Sequence, residues 1–237
     1  DGQCRPYSET EAKKLGCDST IGCACNEFSG FYPNAILKWL PGFLANISFQ
    51  GLITSLLAQM AFEQENGLYR GFLLLGMKRS VYWGHWLLCF CLQGLLLALL
   101  VPVIVQGIEF IQNVQYIWIF LQTLLFMFGT AFVTVAVSTT MGASSAQCHG
   151  AAVVFSFPAS VVYLVGEIVN FPWFLKYFIS VVQPWYAAHR GWGILMVATF
   201  GNAELNMDTL WSMGFGQVLL CQLGGLVFWF FLGIYLH

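Results

Sequence analysis

From Tyr82 to Val105 the chain runs for 24 residues, YWGHWLLCFCLQGLLLALLVPVIV, without one Asp, Glu, Lys or Arg. A hydrocarbon core of about 30 Å is crossed by about 20 apolar residues wound as a helix, because a helix pairs its own backbone groups where no water can. A water-soluble globule is excluded by this run, which is one of five. Comparable stretches cover residues 42–62, 116–139, 150–170 and 210–237, with Pro41 expected at the start of the first helix, where a missing N–H costs least. Charged residues make up 8% of the whole chain, against roughly 25% for an ordinary soluble domain. Nine Lys and Arg against eleven Asp and Glu leave no basic surface for nucleic acid.

Residues 171–200 fit neither a tight connection nor one straight span, since Pro172, Pro184, Gly191 and Gly193 interrupt them. Irregular backbone at membrane depth needs protein or water around it, so two short helices forming an outer re-entrant hairpin are expected. Orientation follows from Lys and Arg in short loops. Arg70, Lys78 and Arg79 lie between the first two spans, whereas residues 107–115 carry Glu109 and no basic residue. The first loop is therefore expected in the cytoplasm and the second outside. Five spans then put residues 1–40 outside or in a lumen and His237 at the cytoplasmic face. Residues 1–40 have the composition of an aqueous segment, with nine of the twenty charges, and residues 41–237 form the transmembrane domain.

Cys4, Cys17, Cys23 and Cys25 are an even set in that outer segment, where disulfides persist, and they are expected as two bridges of open connectivity. The paired spacing of a zinc site is absent, and no metal site is expected. Residues 62–80, FEQENGLYRGFLLLGMKRS, interleave charge with apolar residues beside two spans and read as an amphipathic cytoplasmic helix. Glu63 and Glu65 near its start and Lys78 and Arg79 near its end would complement the helix dipole. Such a helix lies in the interface or docks a cytoplasmic partner. Glu167, Lys176, His189 and Arg190 are ionisable residues at or near membrane depth, where local charge pairing or snorkelling is the plainer reading and function the sharper one. Asn46-Ile-Ser48 is formally a glycosylation acceptor, but it falls inside an apolar run. No Lys is followed by Ser or Thr, so the chain contains no P-loop, and it has no H-E-x-x-H or G-x-S-x-G.

Three segments resemble the A subfamily of ABC transporters, whose membrane domain is of the ABC-2 exporter type. The first is FEQENGLYRGFLLLGMKRSVYWGHWLL, in which Glu63, Glu65, Gly76, Met77, Ser80, Tyr82, Trp83 and Trp86 match the family's cytoplasmic helix and the aromatic pair opening the next span. The second is VSTTMGASSAQCHGAAVVF, with Ser138, Thr139, Gly150 and Phe155; it lacks the basic residue usual in that turn. The third is SVVQPWYAAHRGWG, where Pro184 and Tyr186 match the outer hairpin. NGLYR, residues 66–70, is also similar to the G subfamily, which shares the membrane fold and places its nucleotide-binding domain first.

The resemblance implies an all-α ABC-2 type membrane half of about five spans plus the hairpin, moving lipids or other amphipathic molecules. ATP and Mg would be held by a nucleotide-binding domain outside this chain, and a second membrane half would complete the transporter. Residues 1–40 would be the tail of a larger outer domain. Glu63, Glu65, Arg70, Gly76, Lys78 and Arg79 would couple to the nucleotide-binding domain, and Pro184, Tyr186 and Arg190 would mark the hairpin. The competing class is a channel or scaffold. A pore should repeat polar residues on one face of several spans, and Gln59, Gln93, Gln122 and Thr123 are the candidates for that.

Overall fold

The computed structural model describes the backbone of residues 31–140, 145–200 and 204–236, and side chains at 38–51, 53–55, 57–136, 156–200 and 204–235. Among these residues every element is an α-helix: α1 (Phe31–Glu65), α2 (Leu68–Leu74), α3 (Arg79–Gly107), α4 (Tyr116–Thr140), α5 (Ser145–Ile168), α6 (Trp173–Val182), α7 (Pro184–Phe200) and α8 (Phe215–Leu236). An isolated parallel bridge joins Val114 to Leu205. Four stretches are long and apolar enough to cross a membrane, namely Lys38–Glu65, Arg79–Gly107, Tyr116–Ala136 and Phe215–Tyr235. Helix α5 has 24 residues, a length of about 36 Å at 1.5 Å per residue.

Specific contacts fix which helix ends lie together. Lys38 in α1 reaches Glu167 at the close of α5, 3.4 Å away. Gln106 in the last turn of α3 donates to the Val114 carbonyl at 2.7 Å, just before α4. Gln112 is bonded to Thr199 near the end of α7, and Trp118 in α4 meets Phe215, the first residue of α8, edge to face. These groups make one end of the bundle, called here the hairpin end. At the opposite end, Glu63 of α1 meets Tyr82 and Trp86 of α3, and Ala136 of α4 lies beside Gly233 of α8. Helices α1, α4 and α8 thus run one way, and α3 and α5 run the other.

The segment expected to be re-entrant does enter and leave at the same end. Tyr177 in α6 bonds Gln217, the third residue of α8, and deeper down the Trp229 indole N–H donates to the Val182 carbonyl at 2.8 Å. Between Gln217 and Trp229, α8 advances about 18 Å. The chain then turns at Gln183-Pro184. Pro184 sits against Gly129 in the middle of α4, Gln122 faces Ala188, and Thr199 is back beside Gln112.

Helix α7 is the hub, packed against α1, α4, α5, α6 and α8. Pro184, Trp185, Tyr186, Ala187, Ala188 and His189 are all buried, the pattern of a helix enclosed on every side. Trp185 packs edge-on against Phe126, which packs in turn on Phe49 of α1. Small residues permit this crowding: Gly191 leaves the space that Gln122 fills, and Gly193 lies under the Tyr163 hydroxyl. Helix α3 sits at the rim against α4, presenting Leu88, Leu92, Leu96 and Val103 outward.

The structure departs from expectation at Pro41, which lies inside α1 rather than at a helix start. Its missing N–H and ring cost an interior helical bond, yet both Pro41 and Gly42 are buried against the core, where neighbouring helices hold the chain in place.

The closest approach of α6 to α8 is at Gly225, where an added Cβ would stand 2.4 Å from the Val181 carbonyl oxygen. At Gly224 the nearest atom would be 3.9 Å away. Gly225→Ala is therefore expected to destabilise the protein by about 1–3 kcal/mol through overpacking. Gly224→Ala should be neutral or stabilising, since Ala is favoured over Gly in helices by about 1 kcal/mol. Thermal unfolding of the two variants in detergent checks the contrast, and equal melting temperatures would refute it.

Candidate functional site

Residues 62–80 are not one helix. Helix α1 continues through Glu65 and stops at Gly67, whose φ of +74° is in the left-handed region open to glycine. The seven-residue α2 follows and ends before Gly76, at φ +89°, and α3 starts at Arg79. Glu63 and Glu65 consequently lie in the last turn of α1, and Lys78 and Arg79 at the start of α3, the reverse of the dipole arrangement anticipated from sequence. Two local glycines override the amphipathic pattern, because left-handed residues at Gly67 and Gly76 interrupt the helix.

Glu63 offsets its position with specific bonds. Its Oε2 accepts from the Tyr82 hydroxyl at 3.1 Å and the Trp86 indole N–H at 3.2 Å, and those donors are four residues apart on one face of α3. Tyr69 of α2 packs on Tyr82 and Trp83, so α2 is held by an aromatic cluster at the helix junction. The rest of the loop faces outward. Arg70, Gly76, Lys78 and Arg79 are exposed, and Leu74 and Leu75 are 89% and 87% exposed. Glu65 is also on the surface.

At the hairpin end, Glu167 is shared by two lysines, Lys38 at 3.4 Å and Lys176 at 3.8 Å, and Lys176 also donates to Asn170 at 3.2 Å. The local charge pairing expected for Glu167 and Lys176 is present. Arg190 lies apart from it: one Nη1 donates to Ser180 at 3.2 Å, and the guanidinium stands 5.1 Å from the Tyr177 ring centroid. Tyr186 is fully buried, edge-on to Tyr163, and Pro184 is buried at the hairpin tip. His189 is fully buried, with Nε2 2.6 Å from the Ser160 hydroxyl and its ring stacked on Tyr163. An added Cβ at Gly42 would be 2.4 Å from His189 Nδ1, so α1 closes directly over the imidazole. This group ties α1, α5 and α7 together beneath the ion pair.

Sequence reasoning missed the polar interior. Asn46, Gln50 and Gln222 have buried carboxamides with no hydrogen-bond partner, and Asn46 is only 3% exposed, consistent with the glycosylation motif being a chance match. A single chain gave no signal for these positions, because a lone Asn or Gln in an apolar run looks alike on either face. The polar residues weighed as a pore lining do not share a face: Gln59 and Gln93 are exposed, while Gln122 and Thr123 are fully buried. His85 is exposed and contacts Cys89 Sγ at 3.8 Å, and no group of three metal-ligating side chains occurs among the described residues. Cys4, Cys17, Cys23 and Cys25, like the turn at 141–144, lie outside the described residues.

Removing the Glu63 carboxylate is expected to loosen α1 from α3. Glu63→Ala should lower stability by about 1–3 kcal/mol, since it leaves two donors without their acceptor, and Tyr82→Phe by about 0.5–1.5 kcal/mol. The double variant should lose less than the sum, as two residues in one network do. Strict additivity in thermal or denaturant unfolding would contradict the shared contact. In comparisons with known protein families and with curated proteins, nothing matches this chain.

Proposed function

We propose that this chain is the membrane half of an ATP-driven transporter of the ABC-2 exporter type, moving lipids or other amphipathic molecules. In this reading α1, α3, α4, α5 and α8 are five spans, and the α6–α7 hairpin dips in from the outer side. The observation that carries it is the hairpin's path, inward along α8 and back along α4; with α5 counted beside the four long apolar stretches, this reading has an odd number of spans and opposite faces for the two ends of the domain. Arg70, Lys78 and Arg79 at the opposite end support a cytoplasmic α1–α3 loop by the positive-inside rule. The hairpin and the segment carrying the four N-terminal cysteines then face outward or into a lumen, and the C-terminus faces the cytoplasm.

ATP and Mg would be bound by a nucleotide-binding domain outside these residues, which supplies the hydrolysis that drives the cycle. The α2 loop is its docking point in this reading: Leu74 and Leu75 project beyond the bundle among Arg70, Lys78 and Arg79. Glu63 acts indirectly, by holding the loop to α3. Movement of a docked domain would pass through the Tyr69, Tyr82 and Trp83 cluster into α1 and α3 and shift the population between arrangements of two membrane halves. The outward face of α1, with Ser48, Gly51 and Gln59, supports a second membrane half as neighbour, because small and polar residues suit close helix contact inside a bilayer.

The test is ATP hydrolysis by the intact protein, purified with its associated subunits and reconstituted in bilayers with and without added lipids. Lipid-stimulated hydrolysis is expected, and the absence of any nucleotide binding would refute the proposal. Leu75→Asp and Arg70→Glu should each weaken docking by roughly tenfold or more and lower stimulated turnover, with the melting temperature of the membrane domain unchanged. Full stimulation in both variants would remove α2 as the docking point.

A further inference from the structure

Three cations and one carboxylate meet around the hairpin. Lys38 and Lys176 share Glu167, whereas Arg190 forms no ion pair among the described residues. Glu109, Glu204 and Asp208, the other carboxylates at this end among the described residues, are exposed in the connecting loops. A guanidinium carries five N–H donors, and the protein accepts one of Arg190's, at Ser180. The side chain is held in place: the Tyr177 ring lies beneath it, the Tyr177 hydroxyl is fastened to Gln217, and Ser180 is anchored by a 2.6 Å bond to the Lys176 carbonyl. It is only half-buried, so part of the side chain reaches the surface of the bundle.

The level of the guanidinium is set through Tyr177 by Gln217, the third residue of α8. Within a turn of where a span enters the hydrocarbon, the surroundings are phospholipid headgroups, and a Trp there is the usual interfacial residue. Trp173 fits that description, 73% exposed and packed on Tyr177 with centroids 6.1 Å apart. One turn below Gln217, Leu220 is 57% exposed and offers an apolar surface toward the membrane interior. An ordered guanidinium fork without a carboxylate, under an interfacial indole and above an apolar wall, matches a phosphate monoanion carrying acyl chains.

We propose that Arg190, set by Tyr177 and Ser180 of α6, binds the phosphate of a phospholipid from the leaflet at the hairpin end. The proposal goes beyond the transporter reading and needs no nucleotide-binding partner, so the two can fail separately. The ligand is a resident lipid, and its phosphate supplies a counter-charge that Arg190 does not find among the described residues.

The experiment uses the full chain in nanodiscs containing equal amounts of phosphatidylcholine and the phosphate-free monogalactosyl diacylglycerol. The protein is then transferred to a mild detergent, and retained lipids are identified by native mass spectrometry. The wild type is expected to keep phosphatidylcholine in preference to the galactolipid, and Arg190→Gln to reduce that preference about tenfold. Arg190→Lys, which keeps the charge without the fork, and Tyr177→Leu, which removes the ring that positions it, should each give an intermediate loss. They also carry the test if Arg190→Gln does not fold. Unchanged preference in these variants, or no preference in the wild type, would overturn the proposal. Release of the wild-type lipid by millimolar inorganic phosphate alone would overturn its lipid part, assigning Arg190 to a free anion.

Discussion

A chain that turns round inside an apolar helix bundle must find partners for the carbonyls at the turn, because no water is present to take them. In this protein the turn is at residues 182–184, and its partners are few and specific. The Val182 carbonyl receives the indole N–H of Trp229, and the Gln183 carbonyl receives the backbone N–H of Ala187, restarting the helix at once. Gly225 lets α8 come close enough beside Val181 to exclude everything else. With those conditions met, α7 can occupy the centre of the bundle as a short helix that never crosses it. The burial of Trp185, Tyr186 and His189 follows, as does the packing of α1, α4, α5 and α8 around one axis.

Polar groups at the two ends of the bundle are handled differently. At the opposite end Glu63 sits in the last turn of a helix, where the dipole disfavours it, and two aromatic donors of α3 compensate with directed hydrogen bonds. At the hairpin end the charges are paired or stacked: Glu167 with two lysines, Arg190 on a tyrosine. Between them lie carboxamides with no partner at all, such as Asn46 and Gln50 on adjacent turns of α1. Each such buried group costs about 1–3 kcal/mol, which the packing around it must offset.

Much of the architecture was legible in the chain because apolar length is a strong signal. The uncharged run at 82–105 became α3, and the prolines at 172 and 184 did mark a broken segment that dips and returns. Finer features depended on information that apolar runs do not carry. Pro41 looked like a helix start because proline is tolerated there, whereas tertiary packing carried α1 through it. Residues 62–80 looked like one amphipathic helix because charge spacing outweighed Gly67 and Gly76, whose positive φ values divide it. At the hairpin, Glu167 and Arg190 could be picked out as ionisable, but the assignment of both lysines to one carboxylate required three helices to meet. Which glutamines face inward could not be read from runs that are apolar on all sides.

The dependence of the hairpin tip on Trp229 and Gly225 bears on the order in which the protein is made. Chains leave the ribosome from the N-terminus at about 5–20 residues per second, and α8 emerges after α6 and α7. Until it does, α6 and α7 have neither the donor for Val182 nor the wall against Val181. The hub of the fold is therefore synthesised before it can be completed. In the interval α6 and α7 lack these partners, and assembly of the bundle closes from α8 backward.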